Sequence, residues 1–302
     1  MGALDDLVPE TPAYNYAFLD EQSKREIRRA LLKAVAIPGY QVPFGSRELP
    51  IARGWGTGGI QVTLACIGPG DVLKVIDQGT DAGVNALNIR RLVERTTGLP
   101  TTADTEAATI IQTRHRIPEQ PLRADQTIVF QVPFPEPLRS IEPSEAVTRE
   151  MHAEEDYARM WVALYEDVVH AGEITKTSSY PAMVNHRHIF SPSPIPRWDL
   201  PKLHRAPFLS LFGAGREKRV YAVPPYTDVV PLDFDDHPFA IEDMSGRVCA
   251  RCGATGVYMD ELIQDDGSHL FRCSDTAYCD AMLAARDGGD EATVARLTAV
   301  AR

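Results

Sequence analysis

ATIIQTRHRIP (residues 108–118) and QTIVFQVPFPEP (residues 126–137) are two β-like runs in close succession, each closed by prolines, which have no N–H to offer a neighbouring strand. The segments around them read as helices and glycine-rich turns. That alternation predicts an α/β (mixed α+β) body with a central β-sheet flanked by helices. Upstream, DEQSKREIRRALLKAVA places Ile27, Leu31, Ala34 and Val35 on one face at helical spacing, with Asp20 as N-cap and Pro38-Gly39 as the stop. The glycine-rich GWGTGGIQVTLACIG follows. Asp71 then caps DVLKVID, and VNALNIRRLVERTTG is a second helical unit ended by Gly98. Downstream, PSEAVTREMHAEEDYARMWVALYEDVVHAG is expected to form the longest helix, from about Pro143 to His170. Tyr157, Met160, Trp161 and Leu164 would face the core, and the polar face is a candidate contact for a partner. A proline-rich stretch (FSPSPIPRWDLPK), a strand (KRVYAVPPY) and an acidic loop (DFDDHPF) complete the body.

Four of the five cysteines lie beyond that body, in CARCGATG from Cys249 and CSDTAYC ending at Cys279. Cys249-x-x-Cys252 presents two thiolates from one tight turn, and Cys273 and Cys279 return after a hairpin-length gap. This spacing suits a structural zinc ribbon first, an iron–sulfur cluster second and unbonded core cysteines last. The fifth, Cys66, sits in an apolar run as a small buried hydrophobe. The expected organisation is therefore a flexible N-terminus over residues 1–12, an α/β core over 13–240, and a small C-terminal four-cysteine metal-binding module with a helix over 241–302.

With 302 residues and 44% hydrophobic composition, the chain can bury one sizeable core plus a small appended module without disulfide staples. No basic start is followed by an apolar run, and nothing approaches the roughly 20 apolar residues of a membrane span. The expectation is a soluble cytoplasmic protein, where clustered cysteines serve metal or catalysis more than disulfides. A net charge of −11 argues against general affinity for nucleic acid.

Local basic groups remain available for a small anion. In a strand, Arg114 and Arg116 of RHR share a face while His115 points away, offering paired guanidinium forks, and Gln131 of the neighbouring run adds an amide. The competing reading pairs these arginines with the surplus carboxylates. GWGTGG from Gly54 and FGAGREKR from Phe212, the latter with Arg216, Lys218 and Arg219, are either phosphate-directed loops or tight turns in a packed core, and the turns are favoured. His186 and His188 would share one strand face, and His237 lies in the acidic loop. Gly39, by its residues alone, is a turn glycine after Pro38.

YNYAFLDEQSKREIRRALLKAVAIPGYQVPFGSRELP, GWGTGGIQ, DVLKVIDQG, IQTRHRIPE, FQVPFPEPLR, SPSPIP, LFGAGREKRVYAVPP, LDFDDHPF and CSDTAYC together resemble the PhnJ family of carbon–phosphorus lyase subunits. The likeness covers nearly the whole chain, weakening in the first dozen residues and after Cys279. It implies a radical S-adenosylmethionine enzyme that cleaves α-D-ribose 1-methylphosphonate 5-phosphate to methane and 5-phospho-α-D-ribose 1,2-cyclic phosphate in phosphonate catabolism. Carried over residue by residue, the resemblance makes Gly39 the glycyl radical, Cys249, Cys252 and Cys273 the ligands of a [4Fe-4S] cluster, and Cys279 the thiyl that attacks phosphorus. Arg114, His115 and Gln131 become the substrate-binding candidates. Twenty residues separate the second and third cluster ligands, unlike the compact CxxxCxxC loop of many such enzymes. If zinc takes all four cysteines, as expected of protein isolated in air, Cys279 is not free to attack. The resemblance further implies companion subunits PhnG, PhnH, PhnI and ATPase-like PhnK. The alternative is a zinc-stabilised scaffold that binds a phosphoribosyl ligand and partners without performing the chemistry.

Overall fold

The computed structural model describes residues 19–44, 57–172, 181–191, 200–232 and 244–300. Expectations for residues 1–12, Gly54, residues 192–196 of SPSPIP and the acidic loop with His237 lie outside the described residues. The helices are α1 (Glu21–Ala36), α2 (Thr57–Cys66), α3 (Val84–Thr97), α4 (Glu145–Ala153), α5 (Ala158–Ala171), α6 (Leu200–Leu203), α7 (Thr276–Asp287) and α8 (Glu291–Val300). The strands are β1 (Val42–Pro43), β2 (Leu73–Ile76), β3 (Thr101–Thr102), β4 (Ile110–Thr113), β5 (Thr127–Val132), β6 (Ala182–Val184), β7 (His188–Phe190), β8 (Leu209–Ala214), β9 (Arg219–Val223), β10 (Val229–Pro231), β11 (Met259–Ile263) and β12 (His269–Cys273). Among the described residues no helix is long and apolar enough to cross a membrane.

Both opening runs are strands, β4 and β5, paired in parallel at the middle of a seven-stranded sheet ordered β1-β9-β8-β5-β4-β2-β3. β3, β2, β4, β5 and β8 run parallel; β9 is antiparallel to β8, and β1 is antiparallel to β9 and so runs in the direction of the other five. Because side chains alternate, Val75, Ile110, Val129, Leu211 and Ala222 pack on one face with α1, α2 and α3. Ile76, Ile111, Phe130, Phe212 and Tyr221 pack on the other with α4, α5 and a second sheet, β10-β6-β7. On that face Phe130 stacks on Phe212 at 4.7 Å and Phe212 on Tyr221 at 4.6 Å, tying three adjacent strands with about 0.5–1.5 kcal/mol per ring pair beyond burial. The C-terminal hairpin β11–β12 with α7 and α8 has its own apolar cluster, which contains all four clustered cysteines.

Four local expectations are corrected. GGIQVTLAC is helix α2, because its glycines are required by packing: a Cβ on Gly58 would stand 2.4 Å from Gly215 N, and one on Gly59 would stand 2.5 Å from Gln131 Cβ. Segment DVLKVID carries strand β2; Asp71 instead accepts hydrogen bonds from Gly68 N–H and the Thr109 hydroxyl, both at 2.7 Å. The long helix is broken into α4 and α5. Glu154, Glu155 and Asp156 fall where a continued helix would crowd like charges; three carboxylates oppose the negative end of α4 and favour the positive start of α5. Glu155 takes φ +53°, and Asp156 accepts from Ala158 N–H at 3.0 Å. His186 lies in the β6–β7 turn rather than sharing a strand face with His188.

Candidate functional site

Cys249 and Cys252 sit on a turn closed by Gly253 N–H to Cys249 C=O at 2.8 Å, Cys273 ends β12, and Cys279 lies in the first turn of α7. All four are buried, and their sulfurs lie within 4.8 Å of one another. Cys252 Sγ is 3.6 Å from Cys273 Sγ, and Cys249 Sγ is 3.9 Å from Cys279 Sγ. A tetrahedral ion with metal–sulfur bonds of about 2.3 Å places its ligands about 3.8 Å apart, so the spacing fits one ion. A four-iron cluster holds its thiolates farther apart, because the irons stand between them.

The thiols compete for charge. The hydrogen bond from Cys273 brings Cys252 down to about 5 and pushes Cys273 upward, while burial pushes Cys279 up to about 12. Four adjacent thiolates repel one another, and a bound cation is what allows all four to lose their protons. The group could therefore hold a metal ion.

Arg114 and His115 stand at the C-terminal end of β4, beyond its last residue, Thr113. The strand order reverses here: β3 follows β2 on one side and β4 lies on its other side, so the loops after β2 and β4 border the crevice where open α/β sheets bind ligands. Burial pushes Asp77 up, but the nearby Arg114 acts to lower it. His115 takes φ +97°, and burial, reinforced by Arg114, brings its imidazole down to about 4. The expected paired fork does not form. Arg116 turns inward, fully buried, to Glu119 at 3.0 Å and to the ring of Tyr258 at 5.6 Å from its centroid. Gln131 is buried beneath α2 and accepts from Gln112 Nε2 at 3.3 Å.

Gly39 lies elsewhere. Its N–H donates to Ala222 C=O on β9 at 2.9 Å, and it lines a cavity of about 470 Å³ that includes none of the cysteines, Arg114, His115 or Gln131. The cavity wall carries charges whose sequence positions give no spacing signal: Arg139 pairs with Glu217 at 3.0 Å, Arg219 with Glu145 at 2.8 Å, and His152 with Glu136 at 3.0 Å. Arg219 of GREKR thus lines the same cavity as Gly39, whereas Arg216 lies over the Phe134 ring. The C-terminal module attaches toward the other lateral edge of the sheet, through Lys74 of β2 to Asp275 at 3.0 Å. Three strands separate β9 from β2, and four spacings of about 4.8 Å put these anchor strands roughly 19 Å apart. The chain therefore does not bring Gly39 and the cysteines together.

The family described as "Phosphonate metabolism protein PhnJ" matches residues 12–285. The alpha-D-ribose 1-methylphosphonate 5-phosphate C-P lyase of Escherichia coli (strain K12) is 61% identical over 267 residues, covering 88% of this chain and 95% of that protein. The corresponding C-P-lyase of Rhizobium meliloti (strain 1021) is 58% identical over 268 residues, covering 88% and 90%.

Proposed function

The chain belongs to the PhnJ family, and from that premise we propose that it is a carbon–phosphorus lyase converting α-D-ribose 1-methylphosphonate 5-phosphate to methane and 5-phospho-α-D-ribose 1,2-cyclic phosphate. What carries the reading is the extent of the likeness: 61% identity along 95% of a relative named for that substrate.

A phosphonate carbon is a poor anionic leaving group, so homolysis is the favoured route. As a phosphorus–sulfur bond to Cys279 forms, the phosphorus–carbon bond breaks and the methyl group leaves as a radical that would take the Gly39 α-hydrogen to become methane. The ribose 2-hydroxyl would then displace the sulfur, closing the cyclic phosphate and returning the thiol. Cys279 would present its sulfur to phosphorus, and Gly39 would hold an unpaired electron on an α-carbon flattened between amide and carbonyl. Bound at Cys249, Cys252 and Cys273, a [4Fe-4S] cluster would supply the electron that splits S-adenosylmethionine. For that role the thiolates must part from their single-ion spacing and Cys279 must leave the set. Arg114 and neutral His115 would receive an anionic group of the substrate at the crevice, with Gln131 as the neighbouring amide. Hydrogen transfer between Gly39 and Cys279 needs contact, so the module must leave its position on β2 or a companion chain must bridge the gap. Companion subunits of the PhnG, PhnH, PhnI and PhnK kinds are the proposed partners, in a cytoplasmic complex that engages neither nucleic acid nor membrane.

A second reading, a zinc-stabilised scaffold, is favoured by the single-ion sulfur spacing and by the distance between Gly39 and the module. Anaerobic protein supplied with iron, sulfide, reductant, S-adenosylmethionine and companion subunits separates the two. The lyase reading expects brown protein, methane release, and hydrogen isotope passing between the Gly39 α-carbon and the adenosyl group. Zinc-only protein that binds substrate while methane forms without it establishes the scaffold instead.

A further inference from the structure

The loop that carries Arg114 and His115 is gripped from two sides by the cysteine module. On one side Tyr258, six residues beyond Cys252, donates its N–H to Glu119 Oε1 at 3.0 Å, and its ring lies beside the Arg116 guanidinium. On the other side Asp275, between Cys273 and Cys279, accepts Glu119 N–H at 3.2 Å. Asp275 also accepts Lys74 Nζ at 3.0 Å and caps α7 through Tyr278 N–H at 3.3 Å. Next to it, Thr276 gives its hydroxyl to Asp81, in the loop after β2, at 2.9 Å. The side chains of Lys74, Arg116, Glu119 and Asp275 are all 0% exposed.

The two grips descend from different halves of the cysteine group: the Cys249–Cys252 turn leads to Tyr258, and the Cys273–Cys279 segment holds Asp275. An ion bound by all four sulfurs ties these halves together and fixes the spacing of the jaws around residues 116–119. We infer that metal occupancy of the four cysteines controls the order of the Arg114–His115 crevice, with Asp275 as the positioning residue that transmits it. Linkage makes the relation reciprocal: whatever orders the crevice tightens metal binding by the same factor. The inference requires only that metal fill the cysteines, so it stands or falls apart from the lyase chemistry.

The test is hydrogen exchange on the full chain, zinc-loaded and zinc-stripped, read at residues 77–83 and 114–120, with α1 as the internal reference on the far face. In the unaltered chain, stripping should speed exchange in both loops at least tenfold and leave α1 unchanged. In zinc-loaded Asp275→Asn, exchange at residues 114–120 should already match the stripped chain and respond no further to zinc. Thr276→Val should raise exchange mainly at residues 77–83. Equal protection of the loops with and without zinc in the unaltered chain overturns the inference, even if Asp275→Asn fails to fold. Zinc-dependent protection that survives in Asp275→Asn overturns the role of Asp275.

Discussion

Alanine at Gly39 tests whether a structural demand accompanies any chemical role there. Gly39 takes φ +77°, a left-handed conformation costing an L-residue about 1–2 kcal/mol. An added Cβ would also stand 2.8 Å from His188 Cβ and 3.1 Å from Val184 Cβ, and such crowding costs typically about 1–3 kcal/mol. Together these destabilise the chain by roughly 2–5 kcal/mol, or roughly 5–15 °C in melting midpoint. Gly98 provides the control: its φ is +72°, with nothing within 4 Å of an added Cβ, so Gly98→Ala should show the backbone cost alone. Thermal unfolding of the two variants beside the unaltered chain should therefore rank Gly39→Ala lowest. A Gly39→Ala midpoint equal to that of Gly98→Ala would refute the crowding argument, and one equal to that of the unaltered chain would refute both parts. Lost methane release in Gly39→Ala is consequently no proof of a radical at this carbon, because misfolding near the cavity predicts the same loss. The isotope measurement is the discriminating one.

Lys74→Met should cost about 3–5 kcal/mol in urea unfolding, since it leaves Asp81 and Asp275 buried without their shared cation; a cost below about 1 kcal/mol would show that the carboxylates find other partners. Burial opposes ionisation of Asp275, but Lys74 and Arg116 outweigh it and hold its carboxyl below the usual range. Its contribution to stability should thus be full above about pH 4, the unfolded value, and vanish as pH falls through the lower folded value, which Asp275→Asn should abolish from the acid-unfolding profile. The depressed His115 works in the same direction at higher pH: stability should fall as pH drops from about 6.5 toward 4, where the unfolded chain binds the proton first, and its ring signal in NMR should not titrate between pH 5.5 and 8. Cys252→Ser should lower zinc retention against a chelator at least tenfold, whereas Cys66→Ser, outside the group, should leave it unchanged.

Periodicity and punctuation sufficed for the parts governed by neighbours in the chain: α1 with its Asp20 cap, α3 ending at Gly98, the paired strands β4 and β5, and the Cys249-x-x-Cys252 turn. The family was likewise legible in the sequence. Residues whose state depends on distant contacts were not. The glycines of α2 look like loop formers until β5 and β8 press against the helix and require them, and Arg116 looks like a surface fork until Glu119 and Tyr258 draw it inside. No spacing rule links Lys74 to Asp275, 201 positions apart, or anchors Gly39 and the cysteine module near opposite lateral edges of one sheet. Local sequence sets backbone preference and ligand type. Which buried charges find partners, and which reactive atoms stand out of reach, follows from how the strands are ordered and what packs upon them.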